Sequence, residues 1–119
     1  MGPEWSIYAI PLAEEDLAYL RRHQRRVRQH VRNTVLPALL NEPRSGEPLE
    51  RDLAGVWSYH FWNAKYRLAY VLDESEPDHP KIVVLAIGLK DGFYQTVAER
   101  LRSIGGDEDG EAEAPTSTK

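Results

Sequence analysis

The 119-residue chain contains no cysteine. That excludes a disulfide framework and any thiolate metal site, and it fits a reducing compartment. No apolar run approaches the roughly 20 residues needed to span a bilayer. The first residues lack the charged start and long apolar core of a secretory leader. The expectation is a soluble cytoplasmic protein with no membrane partner. One-signed charge is also missing from most of the chain. The formal net charge is -4, and the last 13 residues alone account for it, with Asp107, Glu108, Asp109, Glu111 and Glu113 set against Lys119. The rest is formally neutral, so bulk charge does not announce nucleic-acid binding, which would need a local patch. Residues 107–119 also lack large apolar side chains and read as a disordered acidic tail. Residues 1–106 read as one domain, long enough to bury a core without staples. There are no internal repeats.

What is present is a run of β-branched and aromatic residues from Gly55 to Tyr94. Gly55-Val56-Trp57-Ser58-Tyr59-His60-Phe61-Trp62 alternates, with Trp57, Tyr59 and Phe61 on one face and Ser58 and His60 on the other. Lys65 to Leu72 alternates too: Tyr66, Leu68, Tyr70 and Leu72 share a face, and Lys65, Arg67 and Ala69 share the opposite one. These are half-buried strands by their period of two. A two-residue turn at Asn63-Ala64 fixes the register. Phe61 then faces Tyr66 and His60 faces Arg67, and every aromatic of the pair falls on one side. A slip by one residue would mix the faces. An imidazole and a guanidinium therefore sit side by side on the polar face. A third strand, Ile82 to Ile87, is apolar on both faces and reads as central and covered.

The remaining elements follow from shorter signals. Trp5 to Ile10 alternates and stops at Pro11, a first strand. Ala13-Glu14-Glu15-Asp16 opens a helix whose acidic first turn complements the dipole. Residues 21–32 read RRHQRRVRQHVR. On one continuous helix Arg21, Arg25, Arg28 and Arg32 form a stripe, either a phosphate-binding strip or a solvated face over buried Val27, Val31 and Val35. A turn near His23-Gln24 is expected to split the segment into a helical hairpin and scatter the stripe. Pro37 kinks the second helix or marks its last turns. Residues 41–48 read as a loop by their Pro and Gly content. Asp73 to Pro80 is an acidic turn with some metal-ligand residue types but no spacing to converge them, so no metal is expected. Gly92 to Ser103 reads as a final helix.

The order of elements, with Gly55-Val56-Trp57-Ser58, Tyr66-Arg67-Leu68-Ala69-Tyr70, Val84-Leu85-Ala86-Ile87-Gly88-Leu89-Lys90-Asp91 and Tyr94 as markers, resembles the RelE/ParE superfamily of type II toxin–antitoxin toxins. The resemblance covers roughly residues 5 to 103. It implies an α+β fold: a small antiparallel β-sheet with an N-terminal helical hairpin packed on one face and a short C-terminal helix. It implies two activities. RelE-like members are endoribonucleases that cut messenger RNA in the ribosomal A site and so inhibit translation (mRNA interferases). ParE-like members inhibit DNA gyrase by binding. Both imply a cognate antitoxin as partner and no cofactor, and a non-toxic member acting as a binding module is the remaining alternative. For the nuclease, the resemblance makes Arg67 the phosphate-stabilising residue, Lys90 the basic residue after the last strand, and Tyr94 the tyrosine near the scissile bond. Some members carry catalytic basic residues at alternate positions of the preceding strand, and here those positions hold Ser58 and His60. An unperturbed imidazole pKa of about 6.5 suits His60 to proton transfer. Trp62 and Lys65 flank the turn, where they can stack and grip a nucleotide of the RNA.

The tail generates a direct expectation. Without apolar anchors it cannot offset the entropy of ordering. A chain ending at Gly106 should lower the melting temperature by less than about 4 °C, the shift that up to about 1 kcal/mol produces in a domain of this size. A larger drop in a calorimetric scan would show that the tail packs.

Overall fold

The computed structural model describes residues 2–106; the expected tail, 107–119, lies outside them. The chain runs β1 (Ser6–Ala9), α1 (Pro11–His23), α2 (Arg25–His30), a π-helical turn (Val31–Val35), α3 (Leu36–Asn41), β2 (Glu47–Pro48), a 3-10 turn (Arg51–Leu53), β3 (Val56–Phe61), β4 (Tyr66–Asp73), β5 (Lys81–Leu89) and α4 (Phe93–Gly106). The sheet has the order β1-β5-β4-β3-β2. No helix among the described residues is long and apolar enough to cross a membrane.

The three central strands form where their aromatic and β-branched residues predict, and the α+β class stands. Two features of the sheet differ from expectation. It is mixed rather than wholly antiparallel, because β1 pairs parallel with β5. Alternation in Trp5 to Ile10 carries no information about strand direction, so only the tertiary arrangement reveals it. The second is β2, a two-residue edge strand in what reads as a loop, pairing Glu47 with Ser58 and Pro48 with Trp57. Its proline marks an edge, where a missing amide donor costs nothing.

Period two sorts the core into two clusters. Phe61, Tyr66, Leu68, Tyr70, Ile82, Val84 and Ile87 pack with Ala13, Leu20, Val27, Val31, Val35 and Leu39 of the helices. Val56, Ala69, Leu85 and Ala86 pack with Phe93 and Val97 of α4. A bulge reconciles the two faces of β5: Ala69 pairs with Ala86 but Tyr70 with Val84, so Leu85 is the extra residue. Leu85 and Ala86 both turn toward α4, and the strand is covered on both sides as its unbroken apolar run requires.

Val27, Val31, Val35 and Leu39 recur every four residues and are all buried, a single face of a helical path. Pro37 lacks the amide hydrogen that would bond to residue 33. The wider π-helical turn over Val31–Val35 takes up that irregularity just before the proline. The break between α1 and α2 falls at Gln24 (φ -142, ψ 66), as expected. The arginine stripe is nevertheless not scattered. Gln24 donates to the Leu20 carbonyl at 2.7 Å and accepts from the Arg28 amide at 3.0 Å, which closes the last turn of α1 and opens the first of α2. Arg21, Arg25, Arg28 and Arg32 still line one concave surface.

β1 is shorter than β5 and leaves the far half of that strand without a neighbour on the β1 side. The Ile10 amide donates to the Val84 carbonyl at 3.1 Å as the chain departs. Side chains finish the edge. Asp16 Oδ2 on α1 accepts from the Ile87 amide at 2.9 Å and from Arg100 Nη1 at 2.7 Å. Arg100 Nη1 also donates to the Leu85 carbonyl at 2.8 Å, and Nη2 donates to Asp16 Oδ1 at 3.1 Å. One ion pair thus satisfies two backbone groups of β5 and ties α1 to α4.

Tyr70 holds the 42–48 segment. Its ring is buried, its hydroxyl donates to the Pro43 carbonyl at 2.7 Å, and the Gly46 amide donates back to it at 3.1 Å. Burial pushes the phenol pKa up. A β-carbon on Gly46 would lie 2.7 Å from that hydroxyl and 3.0 Å from the Ser58 carbonyl, so only glycine fits. Tyr70→Phe strands both backbone groups and should cost about 1–3 kcal/mol in urea denaturation. An unchanged midpoint would show that the hydroxyl does not anchor this segment.

Candidate functional site

The β3–β4 turn sets the site. The Lys65 amide donates to the Trp62 carbonyl at 3.1 Å. The two residues between, Asn63 and Ala64, have φ of 57° and 63°, as a primed hairpin turn demands. The ladder closes in the expected register, with Phe61 opposite Tyr66 and His60 opposite Arg67. Directly opposed residues bring their β-carbons to about 5 Å. On the other side of Arg67 lies Gly88 of β5, which contributes no side chain. The Lys90 amide donates to the Lys65 carbonyl at 2.9 Å, placing the backbones of Lys65 and Lys90 together beyond the strand ends. Both lysines are exposed.

α4 supplies the third wall. The chain turns at Gly92, with φ of 73°, Phe93 enters the core, and Tyr94 comes over Arg67. Arg67 Nη1 donates to the Tyr94 hydroxyl at 2.7 Å, with the guanidinium carbon 5.5 Å from the ring centroid. Because the phenol oxygen accepts this bond, its own O–H is left to donate outward. A carboxylate partner for Arg67, from Asp73 or a loop, is not what the fold provides. Asp73 lies at the far end of β4 and accepts from Ser75, which holds its carboxyl below the usual range.

His60 is one-third exposed at its side chain, and its Nε2 lies 3.6 Å from Glu47 Oε1. Burial lowers its pKa, and the positive charge of Arg67 lowers it further, against the opposing pull of Glu47. The imidazole is therefore biased to the neutral, proton-accepting form. Glu47 escapes sequence reasoning because it sits in a segment with no periodicity. The only signal was its place between Gly46 and Pro48, and only the β2–β3 pairing brings it to His60. Together with Ser45, Gly46, Ser58 and Tyr59, the pair lines a cleft of about 300 Å³.

Two expected RNA contacts are placed elsewhere. Ser58 is 1% exposed and its hydroxyl is buried, so although the residue borders the cleft its side-chain oxygen is closed to a ligand. The sheet face beneath α4 is apolar enough to form a second core cluster, and Ser58 is enclosed beside it. Its hydroxyl and Arg67 Nε are buried with no partner, a local cost of the kind that functional sites tolerate. Trp62 is 38% exposed but does not stand over the His60–Arg67 row. Its φ of 58° interrupts strand alternation, and its ring meets His30 of α2 edge-on at 5.3 Å. The structure thus brings together His60, Arg67 and Tyr94, sets Lys65 and Lys90 at the rim, adds Glu47, and withdraws Ser58.

Residues 13–98 match the family described as the ParE-like toxin of type II bacterial toxin–antitoxin systems, and the chain belongs to that family. Among solved structures, the YoeB/ParE toxin from Agrobacterium tumefaciens is 22% identical, covering 71% of this chain and 97% of its own, with a TM-score of 0.61. The RelBE2 toxin–antitoxin complex from Mycobacterium tuberculosis is 27% identical over 73% of this chain and 99% of its own, with a TM-score of 0.60. The isolated RelE toxin of E. coli shares the fold at 18% identity, 80% and 96% coverage and a TM-score of 0.55. No curated protein matches the chain.

The electrostatic arrangement makes a prediction with a definite sign. In an NMR titration of the His60 ring, Arg67→Ala should raise the pKa toward about 6.5, and Glu47→Gln should lower it further. Opposite shifts would show that these groups do not face the imidazole. Because the folded pKa lies below the unfolded value, the unfolded chain binds more protons between the two. Stability from this group is therefore lost as pH falls through that window.

Proposed function

We propose that this toxin is an endoribonuclease that cuts messenger RNA in the ribosomal A site. The observation that carries the reading is a neutral-biased imidazole directly opposite a guanidinium on one sheet face, with a phenol hydroxyl in contact with that guanidinium. Cleavage by the neighbouring 2′-hydroxyl needs a base, an acid and cationic stabilisation of the phosphorane. His60 Nε2 takes the 2′ proton, and the 2′ oxygen attacks phosphorus. Arg67 stabilises the charge that develops on the non-bridging oxygens. The P–O5′ bond breaks, and the leaving oxygen is protonated by the Tyr94 O–H or by Lys90 as ammonium. The products are a 2′,3′-cyclic phosphate and a 5′-hydroxyl. Lys65 and Lys90 hold the flanking phosphates.

The partner is a cognate antitoxin. Relatives were solved as toxin–antitoxin complexes, RelBE2 among them, and a toxic site requires a neutralising partner in its own host. The second reading is a gyrase inhibitor acting by binding. It is favoured by the ParE-like description of the matching family and by the burial of Ser58, where some nucleases carry a basic residue.

Mapping message 5′ ends after induction tests the choice. Wild type should produce cuts within codons. Arg67→Ala should reduce them about a hundred- to thousand-fold, the effect of removing one transition-state charge donor. Neither Arg67→Ala nor His60→Ala removes a large apolar side chain, so both should melt near wild type. Intact messages together with stalled gyrase–DNA complexes would select the second reading, and the absence of both, with no growth arrest, would leave a binding module.

A further inference from the structure

The strongest charge asymmetry of the chain lies away from the His60–Arg67 row. No carboxylate occurs between Asp16 and Glu42, and that span holds six arginines and no lysine. Arg21, Arg25, Arg28 and Arg32 line a single concavity of about 250 Å³ with Gln29 and Asn33. Among the described residues, the ion pairs are Arg44–Glu74, His60–Glu47 and Arg100–Asp16, so none of the four arginines has a carboxylate partner. Successive members stand three or four residues apart, and like charges at those spacings disfavour the free helix. An otherwise neutral body thus gathers four arginines in one hollow.

We propose that this cradle binds the phosphodiester backbone of a nucleic acid at a site separate from the His60–Arg67 row. Three observations select that ligand. The first is chemical: guanidinium forks match phosphate oxygens two bonds at a time, which ammonium groups do not. The second is length. From Arg25 to Arg32 the helical path covers about 10 Å at 1.5 Å per residue, and Arg21 adds to it from the other side of the Gln24 break, more than a single free phosphate occupies and suited to successive phosphates of one strand. The third is what the lining omits. It holds only Arg, Gln and Asn, whereas a protein partner would need apolar or aromatic anchors at the centre of its footprint. Gln29 and Asn33 add neutral amide donors between the charges.

The surroundings extend the path. His30, next to Gln29 in the chain, packs against the partly exposed ring of Trp62, an aromatic surface on which a base can stack. Trp62 begins the turn that ends at Lys65, whose backbone bonds to Lys90. The cradle, the aromatic pair and the two rim lysines therefore follow one another around the β3–β4 tip toward the face that carries Arg67. A strand held in the cradle is led to that face, and the four arginines act as docking residues that touch no reacting atom.

The experiment measures binding and does not score cutting, so its failure and failure of the ribonuclease reading are separable. The full chain carrying Arg67→Ala, which suppresses cleavage, is titrated with a fluorescein-labelled RNA hairpin, a DNA duplex and a polyglutamate peptide across a salt series. The same titrations are run with Arg21→Gln, Arg25→Gln, Arg28→Gln and Arg32→Gln added together. The expected result is a loss of RNA or DNA affinity of at least about tenfold. The log–log salt slope should fall by about 3, since each of the four phosphate contacts contributes roughly 0.7–0.9. The nucleic acid that loses more affinity names the source of the backbone. If the fourfold variant melts early, the two pairs, Arg21/Arg25 and Arg28/Arg32, are changed separately, and each should remove about half of the slope. Unchanged affinity and slope would overturn the proposal. So would polyglutamate binding as tightly as nucleic acid and weakening equally in the variant, which would assign the cradle to an acidic protein.

Discussion

The ion pair between Asp16 and Arg100 is the constraint on which the site depends. Its side chains are 20% and 15% exposed, so solvent screens it little, and loss of either partner from such a pair leaves a poorly solvated charge behind. Its position matters more than its strength. β1 covers only the first half of β5, and the exposed amide and carbonyl beyond it are satisfied by this pair. The same contact fixes α4 against α1. With Phe93 and Val97 buried beneath it, α4 has one seating, and that seating puts Tyr94 on Arg67. The phenol and the guanidinium come from elements 27 residues apart, and no local preference would hold them together.

The parts of this arrangement that could be read from the sequence are those controlled by period two. The alternation of Trp57 to Phe61 against Tyr66 to Leu72 admits one register, and that register puts His60 opposite Arg67 before any coordinates are known. The double-sided apolar run of β5 likewise implies its burial. What could not be read depends on contacts between distant segments. Glu47 reaches His60 only because Tyr70 pins the 42–48 segment beside β3. Ser58 looks exposed by alternation and is buried on a face where its neighbours Val56 and Ala69 belong to a second apolar cluster. Trp62 leaves its strand face because a turn residue with positive φ no longer obeys the pleat. The four arginines still line one surface across the break at Gln24, a placement that depends on how α1 and α2 pack and not on a helical period.

Charge placement links fold to chemistry. Burial and Arg67 both favour the neutral imidazole, so the group suited to accept a proton is made so by the group suited to stabilise phosphate. In the proposed ribonuclease the two roles come from one cross-strand pair. The arginines of α1 and α2 belong to a different layer of the molecule and meet the site only around the hairpin tip. In the proposed scheme, chemistry and docking are therefore separable by mutation.

The most direct test of the ribonuclease account replaces a single atom of the substrate. A message programmed in the ribosomal A site, identical except for a 2′-deoxynucleotide at the cut position, is incubated with the wild-type chain. If the neighbouring 2′-hydroxyl is the nucleophile that His60 activates, the ribose message is cut to a 2′,3′-cyclic phosphate and a 5′-hydroxyl, and the deoxy message stays whole. Cleavage of the deoxy message at the same position, or survival of both messages, would contradict the account.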